Sequence, residues 1–125
     1  TITPSSSTSK ILIMITSVIG AGGAVSTAQS VWRNSTQILH GQVVSGATAS
    51  SGPSAYGGSG DANNNAQIAI TGIDTPATTS ATTYYFKYRS PQSAVVRVND
   101  LGSGIRNTTY AATSHSSITL MEIGA

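Results

Sequence analysis

The sequence predicts an all-β sandwich, on three observations. Turn chemistry recurs along the whole chain, at Thr3-Pro4-Ser5, Gly20-Ala21-Gly22-Gly23, Ser51-Gly52-Pro53, Gly57-Gly58-Ser59-Gly60-Asp61, Thr75-Pro76, Ser90-Pro91 and Asn99-Asp100-Leu101-Gly102. Short runs rich in β-branched and aromatic residues lie between these breaks, the pattern of a sandwich or barrel. No stretch combines helical periodicity with a cap at each end.

In chain order, residues 10–19 form the first expected strand, with apolar side chains at nearly every position. Residues 29–39 form a second, with a break near Asn34, and residues 41–44 a short continuation. Residues 45–64 read as a long Gly/Ser/Ala loop, distal or lateral to the sheets and mobile, because Tyr56 is its one bulky side chain. Residues 65–73 alternate, with Ala66, Ile68 and Ile70 against Gln67, Ala69 and Thr71. Residues 83–89, 94–99 and 116–123 complete the set. On residues 83–89, alternation sends Tyr84, Phe86 and Tyr88 inward and Tyr85, Lys87 and Arg89 outward toward partners. Trp32, the one tryptophan, sits beside Val31 and is expected in the core.

A chain of 125 residues is one domain's worth of sequence, so residues 1–125 are read as a single domain. Charged residues are 8 % of it, against about 25 % in typical soluble domains. The net charge of +2 comes from six basic and four acidic side chains. Lys10, Arg33, Lys87, Arg89, Arg97 and Arg106 are scattered, not clustered as a nucleic-acid binder requires. Cysteine is absent, which removes disulfides, thiolate metal sites and a Cys nucleophile. The apolar run at 11–19 is too short to cross a bilayer and lacks a signal-peptide layout. A start at Thr1 fits a processed protein or one end of a longer chain.

Two strands are apolar on both faces: Ile11-Leu12-Ile13-Met14-Ile15, and much of Ile118-Thr119-Leu120-Met121-Glu122-Ile123. A sheet with one wet face would alternate. A second sheet covers one face, and a neighbouring subunit is the simplest cover for the other in so short a chain without disulfides.

Three segments carry a family resemblance. They are Ile2-Thr3-Pro4-Ser5 with Ser9-Lys10-Ile11-Leu12-Ile13, then Asp74-Thr75-Pro76-Ala77-Thr78-Thr79-Ser80-Ala81-Thr82-Thr83-Tyr84 with its aromatic strand, and Ser116-Ser117-Ile118-Thr119-Leu120-Met121-Glu122-Ile123. Together they resemble the C-terminal domains of tailed-bacteriophage tail-fibre and virion structural proteins of the marine and cyanobacterial type. These are similar to jelly rolls of the tumour-necrosis-factor and C1q kind. Residues 20–64 depart from the pattern.

The resemblance implies a two-sheet jelly roll that forms a homotrimer through its inner sheet, with the first and last strands adjacent. On that basis Lys10, Leu12, Met14, Ile118, Leu120 and Glu122 are expected to share one face at the subunit interface, with Tyr85, Lys87 and Arg89. The expected register puts Lys10 beside Glu122, Leu12 beside Leu120 and Met14 beside Ile118. Ile11, Ile13, Ile15, Met121 and Ile123 then face the core. Glu122, the one glutamate, is expected to pair with Lys10, Lys87 or Arg89 across or within that boundary.

The implied function is a trimeric tail-fibre head that attaches to a host-surface glycan or protein. The alternative is a capsid or tail decoration or trimerisation module that binds other virion proteins alone. A long shaft sequence ahead of Thr1 would favour the first. Loop residues Tyr56, Asp61, Asn63, Arg106, Asn107 and Tyr110 are the expected receptor surface, on polarity and placement.

No catalytic residue, cofactor or metal is expected. His40 and His115 fall short of a zinc set. Gly-x-Ser-x-Gly is absent, and Gly57–Gly60 lacks the Gly-Lys-Ser/Thr of a P-loop. Glycoside hydrolysis would have to draw its two carboxylates from Asp61, Asp74, Asp100 and Glu122. Asp74 and Asp100 read as turn-forming side chains. Asn34-Ser35-Thr36 and Asn107-Thr108-Thr109 match the glycosylation sequon, without meaning for a phage protein made in bacteria.

Overall fold

The computed structural model describes residues 1–21, 26–39, 54–57, 65–90, 95–99 and 114–124; for residues 21, 26 and 54–57 it gives the backbone course only. These residues form an all-β structure of two antiparallel sheets, with no helix among them. The strands are β1 (Lys10–Ala21), β2 (Ser26–Arg33), β3 (Thr36–Ile38), β4 (Ser54–Gly57), β5 (Asn65–Asp74), β6 (Tyr84–Arg89), β7 (Val96–Val98) and β8 (Ser117–Ile123).

Each sheet is organised about one central strand. In the first sheet, β5 runs along one side of β1, while β8 and then β7 share the other side. In the second, β6 lies on one side of β2, while β3 and β4 share the other. A central strand hydrogen-bonded along both edges has its backbone groups satisfied, so its apolar side chains can be fully buried.

The inward residues of β1 are Ile11, Ile13, Ile15, Ser17 and Ile19, all essentially inaccessible. The four isoleucines form one core with Ile68 and Ile70 of β5, Val31 of β2, Ile38 of β3 and Tyr84 of β6. The alternation of β5 places Ile68 and Ile70 inside, as its sequence pattern requires. Phe86 and Tyr88 of β6 pack on this core edge to face, with ring centroids 4.8 Å apart. Gly72 also faces inward, opposite Ile13. A Cβ there would lie 2.5 Å from both terminal methyls of Leu39, so the glycine is what lets Leu39 lie on the sheet.

The expected break in the second strand is a two-residue hairpin. Arg33 pairs with Thr36, leaving Asn34 and Ser35 as the turn, with Asn34 at φ 50°. Asparagine tolerates that left-handed conformation well. The Asn34 amide donates to the Thr83 carbonyl at 2.8 Å, and its side-chain oxygen accepts from the Thr83 amide at 3.0 Å. The turn is thereby fastened to the entry of β6. The N-terminal segment reaches the same region, where Ile2 and Thr82 exchange backbone hydrogen bonds of 2.9 and 2.8 Å.

Four expectations are corrected. β8 does pair with β1, but one residue out of the expected register: Ile11 is opposite Glu122, Leu12 opposite Met121, and Ile13 opposite Leu120. A one-residue slip exchanges the faces of a strand, so Met121 and Ile123 point outward, and Leu120 packs on the core. The second correction is that β6 belongs to the sheet of β2, so Tyr85, Lys87 and Arg89 do not share a face with Lys10, Leu12 and Met14. Third, the segment read as a structureless loop contains β4, which pairs with β2; the rest of residues 45–64, and residues 41–44, lie outside the described residues. Fourth, Asp74 is no turn residue: it closes β5 as a buried side chain.

Candidate functional site

The two outer faces of the sandwich differ in chemistry, and each follows from strand register. On the first sheet, the outward residues of β1 are Lys10, Leu12, Met14, Thr16 and Val18. Leu12 is flanked by Ile73 of β5 and Met121 of β8, a row of three apolar side chains across three strands. Ile73 is 55 % exposed and Met121 52 %. Ile123 stands beside Lys10, and Met14 lies between Thr71 and Thr119. Met14 and Leu12 are half-buried by these neighbours.

On the second sheet, the outward face carries Trp32 beside Tyr85, Ser30 beside Lys87, and Ala28 beside Arg89. The Trp32 indole N–H donates to Ser30 Oγ at 2.9 Å. From the neighbouring strand, the Lys87 ammonium stands 3.9 Å above the Trp32 ring and 5.8 Å from the Tyr85 ring. Tyr85, Lys87 and Arg89 are exposed, as the alternation of β6 predicts. Trp32 faces outward, not into the core. The reason lies one residue on: Arg33 takes the inward position because two groups at that end of the sandwich receive it.

Those groups are Asp74 and Tyr84. Arg33 Nη1 donates to the Asp74 carboxylate oxygens at 2.8 and 3.0 Å and to the Thr75 carbonyl at 3.2 Å. The Tyr84 hydroxyl donates to Asp74 Oδ2 at 2.7 Å. The cluster ties the last residue of β5 in one sheet to the last of β2 and the first of β6 in the other. Burial, followed by the hydrogen bond to Asp74 and its negative charge, pushes the Tyr84 phenol well above its ordinary range, against the pull of Arg33.

Toward the opposite end the interior becomes polar. Ser17 Oγ shares hydrogen bonds with Tyr88 Oη at 2.7 Å and Ser116 Oγ at 3.0 Å, and Ser116 donates to Asn99 Oδ1 at 2.6 Å. These hydroxyls border a cleft of about 240 Å³ between β1, β6 and β8. A serine nucleophile needs an adjacent base, and the hydrogen bonds of Ser17 go instead to two hydroxyls. His115 is exposed ahead of β8. Among the described residues, no three His, Asp or Glu side chains lie together as a metal would need.

Glu122 pairs with none of Lys10, Lys87 and Arg89. It stands on the inward side of β8, partly exposed, where Ser5 donates to Oε1 from both its amide and its hydroxyl, each at 2.7 Å. The nearby Ser9 hydroxyl exerts the largest pull on the Glu122 carboxyl, followed by the two Ser5 donors, and together they hold it below its ordinary value. Ser9 Oγ is buried without a completed hydrogen bond, so the formed contacts are those of Ser5. A lowered carboxyl pKa contributes stability that is present above the ordinary value and lost as pH falls through the folded value. Glu122→Gln should therefore melt slightly below the parent at neutral pH and converge with it in acid. A melting difference that stays unchanged as pH is lowered through and below the carboxylate range would refute the role of the charge.

The expected interface set is thus divided. Lys10, Leu12 and Met14 lie on the outer face of the first sheet, and Ile118, Leu120 and Glu122 on its inner side. Tyr85, Lys87 and Arg89 lie on the outer face of the second sheet. Of the expected receptor residues, Tyr56 belongs to β4, opposite Thr27; Asp61, Asn63, Arg106, Asn107 and Tyr110 lie outside the described residues, as does His40. Sequence reasoning missed the outward Ile73 and Trp32. The alternation of β5 contained the signal for Ile73. Nothing local distinguishes Trp32 from a core residue.

Comparison with protein-family models, with curated proteins and with solved structures finds no match.

Proposed function

We propose that this chain is a non-catalytic virion module, the trimeric jelly-roll head domain of a phage tail fibre, which attaches to the host-cell surface. The outer face of the first sheet carries the assembly half of this reading. Ile73, Leu12 and Met121 form an apolar row there, extended by Met14 and by Ile123, which stands beside Lys10. Exposed apolar surface of this kind marks an interaction site, and a second and third copy of the chain are the occupants proposed. The interface is drawn on this face, in place of the set expected from sequence. The threefold count and the virion setting rest on the resemblance of both chain ends and the segment around Asp74–Tyr84 to phage fibre domains.

At micromolar concentration the parent is expected to scatter light as a trimer. Ile73→Lys with Met121→Lys should give a monomer with an unchanged circular dichroism spectrum, since both side chains point away from the core. A well-folded parent monomer would overturn the assembly. Attachment is read by labelled trimer on a panel of bacterial cells; a trimer that binds isolated virion proteins and no cell is a decoration module instead.

A further inference from the structure

We infer that the outer face of the second sheet binds an acidic carbohydrate, a uronate-bearing polysaccharide, through Lys87, Arg89 and Tyr85. The inference rests on the attachment reading only for the source of the sugar, and the face differs from the one proposed for assembly.

The cations come first. Lys87 and Arg89 are two residues apart on β6, so they stand on the same face, about 7 Å apart along the strand. The described carboxylates lie elsewhere, Asp74 in the interior and Glu122 on the other sheet. The face is therefore complementary to an anion. Lys87 is also held in place: its ammonium rests on the Trp32 ring, and that ring is anchored through its N–H to Ser30. A lysine already ordered by a cation–π contact has less side-chain entropy to lose when a carboxylate arrives. Arg89 adds a planar fork that matches a carboxylate with two hydrogen bonds.

The aromatic part decides the class of anion. The Lys87 cation lies 3.9 Å over the Trp32 ring and 5.8 Å from the Tyr85 ring, and Tyr85, 45 % exposed, is the more open of the two. Single-stranded nucleic acid is bound by successive bases stacking on several open rings along a basic groove. One exposed ring beside two cations, of which Lys87 is held in place, suits a pyranose, whose C–H face lies on the ring while its carboxylate reaches the cation.

The test uses the intact protein and four probes: polygalacturonate, neutral dextran, polyglutamate and single-stranded DNA. Polygalacturonate should bind, with an affinity that falls as salt is raised, and the other three should bind at least about tenfold more weakly. Lys87→Gln with Arg89→Gln should weaken polygalacturonate about tenfold, from two exposed charge contacts. Tyr85→Ala should weaken it severalfold while leaving circular dichroism and trimer size unchanged. Equal binding of polyglutamate or DNA would overturn the sugar class, as would full affinity in the Lys87/Arg89 double variant. A trimer that binds cells and ignores polygalacturonate overturns this site and leaves attachment standing. Polygalacturonate binding without any cell binding does the reverse.

Discussion

Replacing Asp74 with alanine is expected to destabilise the fold by about 3 kcal/mol, measured by chemical denaturation at neutral pH. The substitution strands two groups at once. Arg33 loses its counter-charge, and the Tyr84 hydroxyl loses its acceptor at the bottom of the same cluster. The Arg33 side chain keeps 26 % of its surface in water, against 9 % for Asp74, so solvent offsets part of the loss and the cost falls at the lower end for a broken buried pair. Asp74→Asn retains an acceptor and should cost less. The cluster also sets an alkaline limit. A raised Tyr84 pKa means that stability is fully present below the ordinary tyrosine value of about 10 and is lost as pH rises above it. Tyr84→Phe should be less stable at neutral pH and flatter in its melting profile above pH of about 10. If Asp74→Ala melts with the parent, the cluster contributes nothing to holding the sheets together.

Ile13→Ala should cost about 3 kcal/mol of folding free energy, while Met14→Ser, one residue further along β1, should cost much less and instead weaken self-association. Ile13 is fully buried between β5 and β8 on the core side, opposite Gly72 and Leu120. Truncation there leaves a cavity that Leu39, packed over Gly72, can fill only in part. Met14 points to the other side, between two threonines, where removing its thioether takes apolar surface from the proposed subunit contact. Denaturation and light scattering of the two variants separate the effects. Equal loss of stability in both would mean that the outer face of the first sheet is as closed as the inner one.

The residues of the two proposed surfaces differ in how they could be found. Alternation along β6 alone placed Tyr85, Lys87 and Arg89 outward, because its inward positions Tyr84, Phe86 and Tyr88 are aromatic and its outward ones mostly charged. The apolar face had no such guide. β1 and β8 are apolar at both parities, so the hydrophobic pattern is equally satisfied by two registers that differ by one residue. The observed one is accompanied by Glu122 meeting the Ser5 donors and by Leu120 reaching the core.

The sequence by itself determined the all-β class, the strand segments at either end of the chain, the break at Asn34 and the inward face of β5. Each depends on local rules: turn residues, β-branched runs and a period of two. The tertiary structure alone decided the assignment of β6 to the sheet of β2, the register of β8, and the reversal by which Arg33 points in and Trp32 out. It also decided that Asp74 is a buried tie between the sheets. These depend on partners far apart in sequence, 41 residues for Arg33 with Asp74 and 117 for Ser5 with Glu122. A charged or aromatic side chain takes whichever face offers it a hydrogen bond or a ring, and that offer exists only once the strands have met.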